Sequence, residues 1–232
     1  LGDRMPLYLL YAAIGYNAFL AMINGHIAAL NATPVMITEA IIVAIACYYL
    51  YNRQNAIKKH MSFMVTAMTV FFGIFVVVSA ANGALYIKSI RDVLVIFVFT
   101  LMGTQCTPVQ MVKAFRTITL VVLGVMLLEG FYVGFYAWLF KPALYYANTR
   151  GVEQYWADSS GLFRNSLGTA SRFSFGLFGQ RRLSSIFLEQ VSLANYAMIL
   201  AMVTMVFWKE LKKFDRFLFI FSIVFIVMAN ST

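Results

Sequence analysis

Seven long runs of apolar residues divide this chain and limit what it can fold into. They cover Leu7–Ile23, Pro34–Tyr51, Met61–Ala80, Val93–Val109, Thr117–Phe140, Ser192–Trp208 and Phe217–Asn230. A transmembrane helix needs about 17–25 mostly apolar residues, and all runs except the last reach that length. The runs are continuous rather than alternating, which favours helices over the strands of a membrane barrel. We therefore predict an all-α polytopic integral membrane protein with about seven transmembrane helices.

The composition excludes the other broad classes of protein. Of the 232 residues, 62% are hydrophobic and 12% are charged, whereas about 25% of a soluble domain is charged. A soluble enzyme is excluded for this reason, and disorder is excluded by the 22 Phe and 13 Tyr. Cys47 and Cys106 lie inside apolar runs, and no motif has metal-ligand spacing. We expect no disulfide, no metal and no cofactor.

The positions of the basic residues predict the orientation in the membrane. Three short connections, Asn52–His60, Gln110–Arg116 and Lys209–Arg216, lie on one side if every run crosses. Lys and Arg accumulate on the cytoplasmic side of membrane proteins, so we assign these connections and the amino terminus to the cytoplasm. Their cations are Arg53, Lys58, Lys59, Lys113, Arg116, Lys209, Lys212, Lys213 and Arg216.

This orientation places the long segment Lys141–Val191 on the outer face of the cytoplasmic membrane. Loops of this length are usually either functional or disordered. Its many aromatic residues argue against disorder, so we expect the segment to be ordered and functional. It has three acids and six cations, and five of the cations are arginines. The cations are Lys141, Arg150, Arg164, Arg172, Arg181 and Arg182. The predicted organisation is five helices in 1–140, an extracytoplasmic loop in 141–191 and two further helices in 192–232.

Arginines interleaved with aromatic residues are suited to an anionic ligand that contains sugar rings. The guanidinium group pairs bidentately with phosphate, and aromatic faces stack on sugars. Arg164 and Arg172 are candidate substrate-binding residues on these grounds. The alternative is that the arginines extend to lipid phosphates while the aromatic residues form an interfacial belt.

Glu129 is an acidic residue deep inside an apolar run, and such residues usually face a cavity or a partner. It could pair with a loop arginine or serve a proton path, and the sequence leaves both alternatives open. Glu129 precedes Gly130 and Gly134, whose spacing permits close helix packing.

A known family is suggested where the outer loop meets the next helix. The segment Gln180-Arg181-Arg182-Leu183-Ser184-Ser185-Ile186-Phe187-Leu188-Glu189-Gln190-Val191-Ser192-Leu193-Ala194-Asn195-Tyr196 resembles the entry to the core of the bacterial O-antigen polymerase and O-antigen ligase family, which includes exopolysaccharide polymerases. Arg182 occupies the family's arginine position, Phe187 its aromatic position and Glu189 the acid of the exopolysaccharide branch. Gln190 replaces the usual proline.

The resemblance implies an enzyme that acts at the outer face of the cytoplasmic membrane. A glycan linked to undecaprenyl pyrophosphate is transferred to an acceptor sugar with inversion and without a metal. Arg182 is then the catalytic residue that contacts the pyrophosphate, and Arg181 and Arg172 assist it. Glu189 and Phe187 complete the substrate-binding set. We expect the chain to be a piece of a longer protein, cut at both ends and inactive alone, because the family's further catalytic residues would follow position 232.

Three functions remain open from the sequence. A polymerase of lipid-linked repeat units is favoured by Glu189, an O-antigen ligase acting on lipid A core shares the same chemistry, and a secondary transporter or flippase belongs to another class. The expected partners are the lipid-linked oligosaccharide and membrane lipids, with no nucleic acid. A chain-length regulator or another polysaccharide-assembly protein is a candidate partner, and the expected location is the bacterial inner membrane.

Overall fold

The computed structural model describes residues 4–83, 87–151, 162, 178 and 181–230. The described chain is all-α. Its elements are α1 (Met5–His26), α2 (Ala32–Asn52), α3 (Gln54–Asn82), α4 (Ile87–Gly103), α5 (Pro108–Phe131), α6 (Val133–Phe140), α7 (Pro142–Arg150), a 3₁₀ turn (Ser185–Phe187), α8 (Gln190–Val206) and α9 (Lys213–Asn230).

Four of these helices are long and apolar enough to cross a membrane: α1, α2, the Ser62–Asn82 part of α3, and α5. The prediction of an all-α membrane protein is confirmed at this level. The remaining predicted spans correspond to α4, α8 and α9, which are helical but differ from the four in length or charge. Helix α8 is apolar and has 17 residues, while α9 carries Lys213, Asp215 and Arg216 in its first turn.

Three predicted boundaries differ from the structure for local reasons. The predicted connection Gln110–Arg116 lies inside α5, which begins at Pro108, because proline at the start of a helix needs no amide donor and has a helical φ angle. The predicted span Thr117–Phe140 is interrupted at Tyr132, whose φ of −125° and ψ of 55° separate α5 from α6. The connection Asn52–His60 is also largely helical, since α3 begins at Gln54.

The chain divides into two compact units. The smaller unit contains residues 1–10 and 40–107, in which α3 contacts α4. The larger unit contains residues 11–39 and 108–232, in which α8 packs on α9 and α5 contacts α9, α6 and the 3₁₀ turn. Its core is formed by large side chains that include Phe115, Val122, Met126, Leu193, Leu200, Phe219 and Ile226. The opposite helix faces expose apolar side chains, as lipid-facing surfaces do.

Helix α7 lies in the predicted outer loop and is attached to the carboxyl end of α1. The Tyr145 hydroxyl donates to Asn17 Oδ1 at 2.9 Å, and Asn148 Nδ2 donates to Asn24 Oδ1 at 2.9 Å. Lys141 Nζ donates to the Gly25 carbonyl at 2.8 Å. Burial raises the pKa of Tyr145 to about 12, so its hydroxyl keeps its proton at neutral pH. Within the predicted loop, residues Pro142–Arg150 therefore form a helix that is held against α1.

Candidate functional site

The candidate site is built around Arg181–Leu188, which we call the arginine segment. It contacts the carboxyl end of α5 and leads directly into α8. Leu183, Ser184 and Ser185 are buried, while both arginines are half-buried. Two of its residues that are not glycine have left-handed backbones, Ser185 with a φ of 54° and Leu188 with a φ of 59°. Such residues cost free energy, so contacts with the rest of the fold must hold the segment.

Glu129 of α5 supplies the main contact. Its side chain is buried, with 1% of the residue exposed. The Ser184 amide donates to Oε2 at 2.9 Å and lies 3.1 Å from Oε1, and the Ser185 amide donates to Oε2 at 2.7 Å. The Ser184 hydroxyl donates to Oε1 at 3.0 Å. The carboxylate therefore accepts hydrogen bonds from two consecutive amides and one hydroxyl of the arginine segment.

A second buried contact fixes the same two serines. The Ser185 hydroxyl donates to the Val122 carbonyl at 2.8 Å. The Tyr136 hydroxyl donates to the Ser185 carbonyl at 2.8 Å and lies 3.0 Å from the Ser184 hydroxyl. Tyr136 is fully buried in α6. Both α5 and α6 thus hold the segment at the point where its backbone enters the left-handed region.

The two arginines stand at the start of the segment, next to the end of α5. Arg181 Nη2 lies 3.5 Å from the Gly130 carbonyl, and Arg181 Nη1 is buried with no hydrogen-bond partner among the described residues. Within the same part of the chain, Glu129 forms no ion pair, and its partners are amides and a hydroxyl. Among the described residues, Glu129 therefore pairs with the backbone of the loop, while Arg164 and Arg172 lie outside those residues.

Glu189 and Phe187 occupy different surroundings. The Glu189 carboxylate lies 3.6 Å from Arg150 Nη1 and accepts a bond from the Ser192 hydroxyl at 3.3 Å. The Arg150 guanidinium also lies 4.6 Å from the centre of the Tyr146 ring. Burial raises the pKa of Tyr146 above its ordinary value. The structure thus brings Glu189 together with an arginine that the sequence had assigned no role.

Phe187 packs on the start of α8. Its ring centre lies 5.4 Å from that of Tyr196. The Tyr196 hydroxyl lies 2.8 Å from the Thr119 hydroxyl, which links α8 to α5. Phe187 is itself part of the arginine segment and remains half-buried, so part of its side chain stays accessible there.

Two predicted site residues, Arg164 and Arg172, lie outside the described residues. Arg181, Arg182, Phe187 and Glu189 lie within ten residues of one another along the described chain. Glu129 joins them from α5. Across the described ranges, no group of three or more His, Cys, Asp or Glu residues is arranged to hold a metal ion.

Comparisons with known proteins give no relative for this chain. No family model, curated protein or solved structure matches it. Its function must therefore be inferred from the chemistry of its own residues and from the resemblance of the arginine segment.

Sequence reasoning missed the supporting residues of the site: Ser184, Ser185, Tyr136 and Arg150. An acid in an apolar run signals that a buried partner must exist. It does not identify that partner, because backbone amides occur at every residue other than proline. The only usable signal was the pair of small hydroxyl residues directly after Arg182 and Leu183.

The Tyr136 contact gives a stability prediction. We expect Tyr136→Phe to lower the free energy of unfolding by about 1–2 kcal/mol, because a buried carbonyl and a buried hydroxyl lose a partner. Thermal unfolding in detergent, followed by protein fluorescence, measures the change. Tyr132→Phe is the matched control, since Tyr132 is 68% exposed. Equal stability of the two variants would contradict the assigned role of Tyr136.

Proposed function

We propose that this chain belongs to a polymerase of lipid-linked oligosaccharide repeat units, acting at the outer face of the bacterial inner membrane. The observation that carries the proposal is the anchored arginine segment, in which Arg181 contacts the last turn of α5 and Arg182 follows it directly. Two neighbouring cations at the end of a membrane helix are suited to the pyrophosphate of a lipid-linked sugar. The resemblance of residues 180–196 to the polymerase and ligase family supports the same assignment.

The proposed topology has seven crossings, with α4, α8 and α9 added to the four long apolar helices. The cytoplasmic face then carries Arg53, the first turns of α5 and the connection between α8 and α9, where Lys209 and Lys212 are exposed. The arginine segment lies at the opposite face. Excess Lys and Arg on short connections supports this orientation.

The proposed reaction is an inverting glycosyl transfer that needs no metal. A hydroxyl of the acceptor sugar attacks the anomeric carbon of the lipid-linked glycan, and a new glycosidic bond forms. The bond between that carbon and the pyrophosphate oxygen breaks, the oxygen keeps the electron pair, and the acceptor proton is released. Arg182 stabilises the negative charge that develops on the leaving pyrophosphate. Arg181, Arg172 and Arg164 bind the phosphates, and Phe187 and Glu189 bind the glycan.

Replacement of Arg182 tests this function. The protein is expressed as the organism makes it, in a strain deleted for its gene, and surface glycan is compared as a chain-length ladder. We expect Arg182→Ala and Arg182→Lys each to collapse the ladder to single repeat units at normal membrane amounts. Lysine fails as well, because it lacks the planar fork that grips a phosphate bidentately.

Each other outcome of this experiment has a definite meaning. A ladder of normal length and amount in both variants would contradict the role of Arg182. Polymerised glycan that fails to reach lipid A core would identify the protein as a ligase. Lipid-linked units that accumulate inside the cell would identify a transporter or flippase. A chain-length regulator or another assembly protein is the proposed protein partner, and its loss would change the length distribution without abolishing polymer.

A further inference from the structure

We propose that Glu129 is a positioning residue that holds the arginine segment in the conformation in which Arg181 and Arg182 are presented to substrate. This inference rests on the proposed function of Arg182. The evidence is the set of contacts at one buried carboxylate, which binds the amides of Ser184 and Ser185 and the Ser184 hydroxyl.

The direction of these hydrogen bonds suits a carboxylate and no other side chain of similar shape. An ionised carboxylate only accepts hydrogen bonds, and its contacts here are to two N–H groups and a hydroxyl. A glutamine amide would turn an NH2 group toward at least one of these donors. Both amides donate to Oε2, so a glutamine must place its oxygen there. Its NH2 group then replaces Oε1, which lies 3.1 Å from the Ser184 N–H, and two donors face each other in a buried site.

The contacts are close enough to the arginines to set their positions. Ser184 follows Arg182 by two residues, so their Cα atoms are at most about 7 Å apart. Beyond Ser184 the backbone enters the left-handed region at Ser185, and the amide that Glu129 binds belongs to this same residue. Glu129 therefore stabilises a backbone conformation that the segment would not adopt by itself.

The same geometry speaks against a proton path through Glu129. A proton carrier needs a donor and an acceptor in sequence, and ordinarily a route to water. Two of the three partners of Glu129 are backbone amides, which do not exchange protons in this way. The third, the Ser184 hydroxyl, contacts the Tyr136 hydroxyl, which is fully buried and donates to the Ser185 carbonyl. The residue is also 1% exposed. Hydrogen bonds to the arginine segment offset the cost of burying this carboxylate near the carboxyl end of α5.

The first test measures the conformation of the arginine segment without depending on its activity. Cys47 and Cys106 are replaced by alanine, Arg182→Cys is introduced, and the rate of labelling by a membrane-impermeant maleimide is measured in membranes. We expect Glu129→Gln to raise this rate about tenfold, as local opening of the segment becomes easier. Ser184→Ala removes only the hydroxyl contact of Glu129, together with the contact to Tyr136, and keeps both amide bonds. It should raise the labelling rate by a smaller factor, which keeps the test available if Glu129→Gln fails to fold.

The control for this test is Arg116→Met, a destabilising change at the other end of α5, about 20 Å away along the helix. It should leave the labelling rate unchanged, because it does not touch the arginine segment. The second test is the glycan ladder, in a chain that keeps Arg182. We expect Glu129→Gln to lower polymer formation about a hundredfold at equal membrane amounts, as expected when a catalytic group is displaced by about 1 Å.

The two tests separate the inference from the function on which it rests. If the Arg182→Cys chain is labelled at the same rate with and without Glu129→Gln, the positioning role of Glu129 alone is overturned. Faster labelling together with a normal ladder in Arg182→Ala would overturn the proposed function alone. A shift in the pH dependence of the remaining activity of Glu129→Gln would instead favour proton transfer and would also overturn the positioning role.

Discussion

Replacing Arg116 by methionine is expected to lower the free energy of unfolding by about 3 kcal/mol, the lower end of the cost of breaking a buried ion pair. Arg116 Nη1 lies 3.5 Å from Asp215 Oδ1, and the Asp215 side chain is 3% exposed. Without Arg116, a buried carboxylate at the start of α9 loses its cation. The lower end applies because the Arg116 side chain is itself 33% exposed.

The first turn of α9 limits this loss only in part. Asp215 is the third residue of α9, where the helix dipole favours a negative charge by about 0.3–1 kcal/mol. That contribution is smaller than the loss of the ion pair. Thermal unfolding in detergent should therefore show a clear decrease for Arg116→Met, accompanied by loosening between α5 and α9.

A matched control and a double variant make the measurement specific. Lys113→Met removes an exposed cation one turn earlier on the same helix and should change stability little. Adding Asp215→Leu to Arg116→Met should restore part of the loss, because the buried charge is then gone. Equal destabilisation by Lys113→Met and Arg116→Met would contradict the ion pair as the cause.

The helices of this protein were predictable because hydrocarbon leaves the backbone few choices. A long apolar run must satisfy its own amides, and a helix does so internally. The ends of the helices were less predictable. Lys113 and Arg116 were assigned to a connection because they are charged, yet they lie in the first turns of α5. Charge marks the water interface and carries no information on where hydrogen bonding of the helix begins.

At the site, the unusual residue could likewise be identified from the sequence, but its partners could not. Glu129 was identified as unusual from its place in an apolar run. Its actual partners, the amides of Ser184 and Ser185, lie 55 and 56 residues later in the sequence. No side-chain pattern marks a backbone donor, so this contact required the fold. Arg150 was counted among the loop cations, and its pairing with Glu189 also depends on the placement of α7.

Gly130 and Gly134 are spaced as in closely packed helix pairs, but the structure gives Gly130 a different neighbour. Its spacing permits two helices to pack closely. In the structure, a Cβ atom built on Gly130 would lie 2.3 Å from Phe178 Cε1, so an aromatic ring occupies this position. At Gly134, no heavy atom of the described surroundings lies within 4 Å of the corresponding position. The small residue at position 130 serves the outer loop and not a second helix.

Replacing Gly130 by alanine is therefore expected to destabilise the larger unit by about 1–3 kcal/mol, the usual cost of overpacking. The Phe178 ring must move, and it contacts Phe131 and Phe225 with ring centres 5.7 and 5.9 Å apart. Alanine ordinarily stabilises a helix by about 1 kcal/mol relative to glycine, so the clash must exceed this gain.

Gly124→Ala is the matched control, because it makes the same substitution in the same helix. A Cβ atom built on Gly124 has no heavy atom of the described residues within 4 Å, apart from the backbone of its own helix and its chain neighbours. We expect it to be neutral or to stabilise, while Gly130→Ala lowers the temperature of unfolding. The Gly130 carbonyl also lies 3.5 Å from Arg181 Nη2, so displacement of Phe178 should increase labelling at position 182. A Gly130→Ala variant as stable as Gly124→Ala would show that the Phe178 ring does not pack on α5. The overpacking argument would then fail, while the hydrogen bonds of Glu129 would be unaffected.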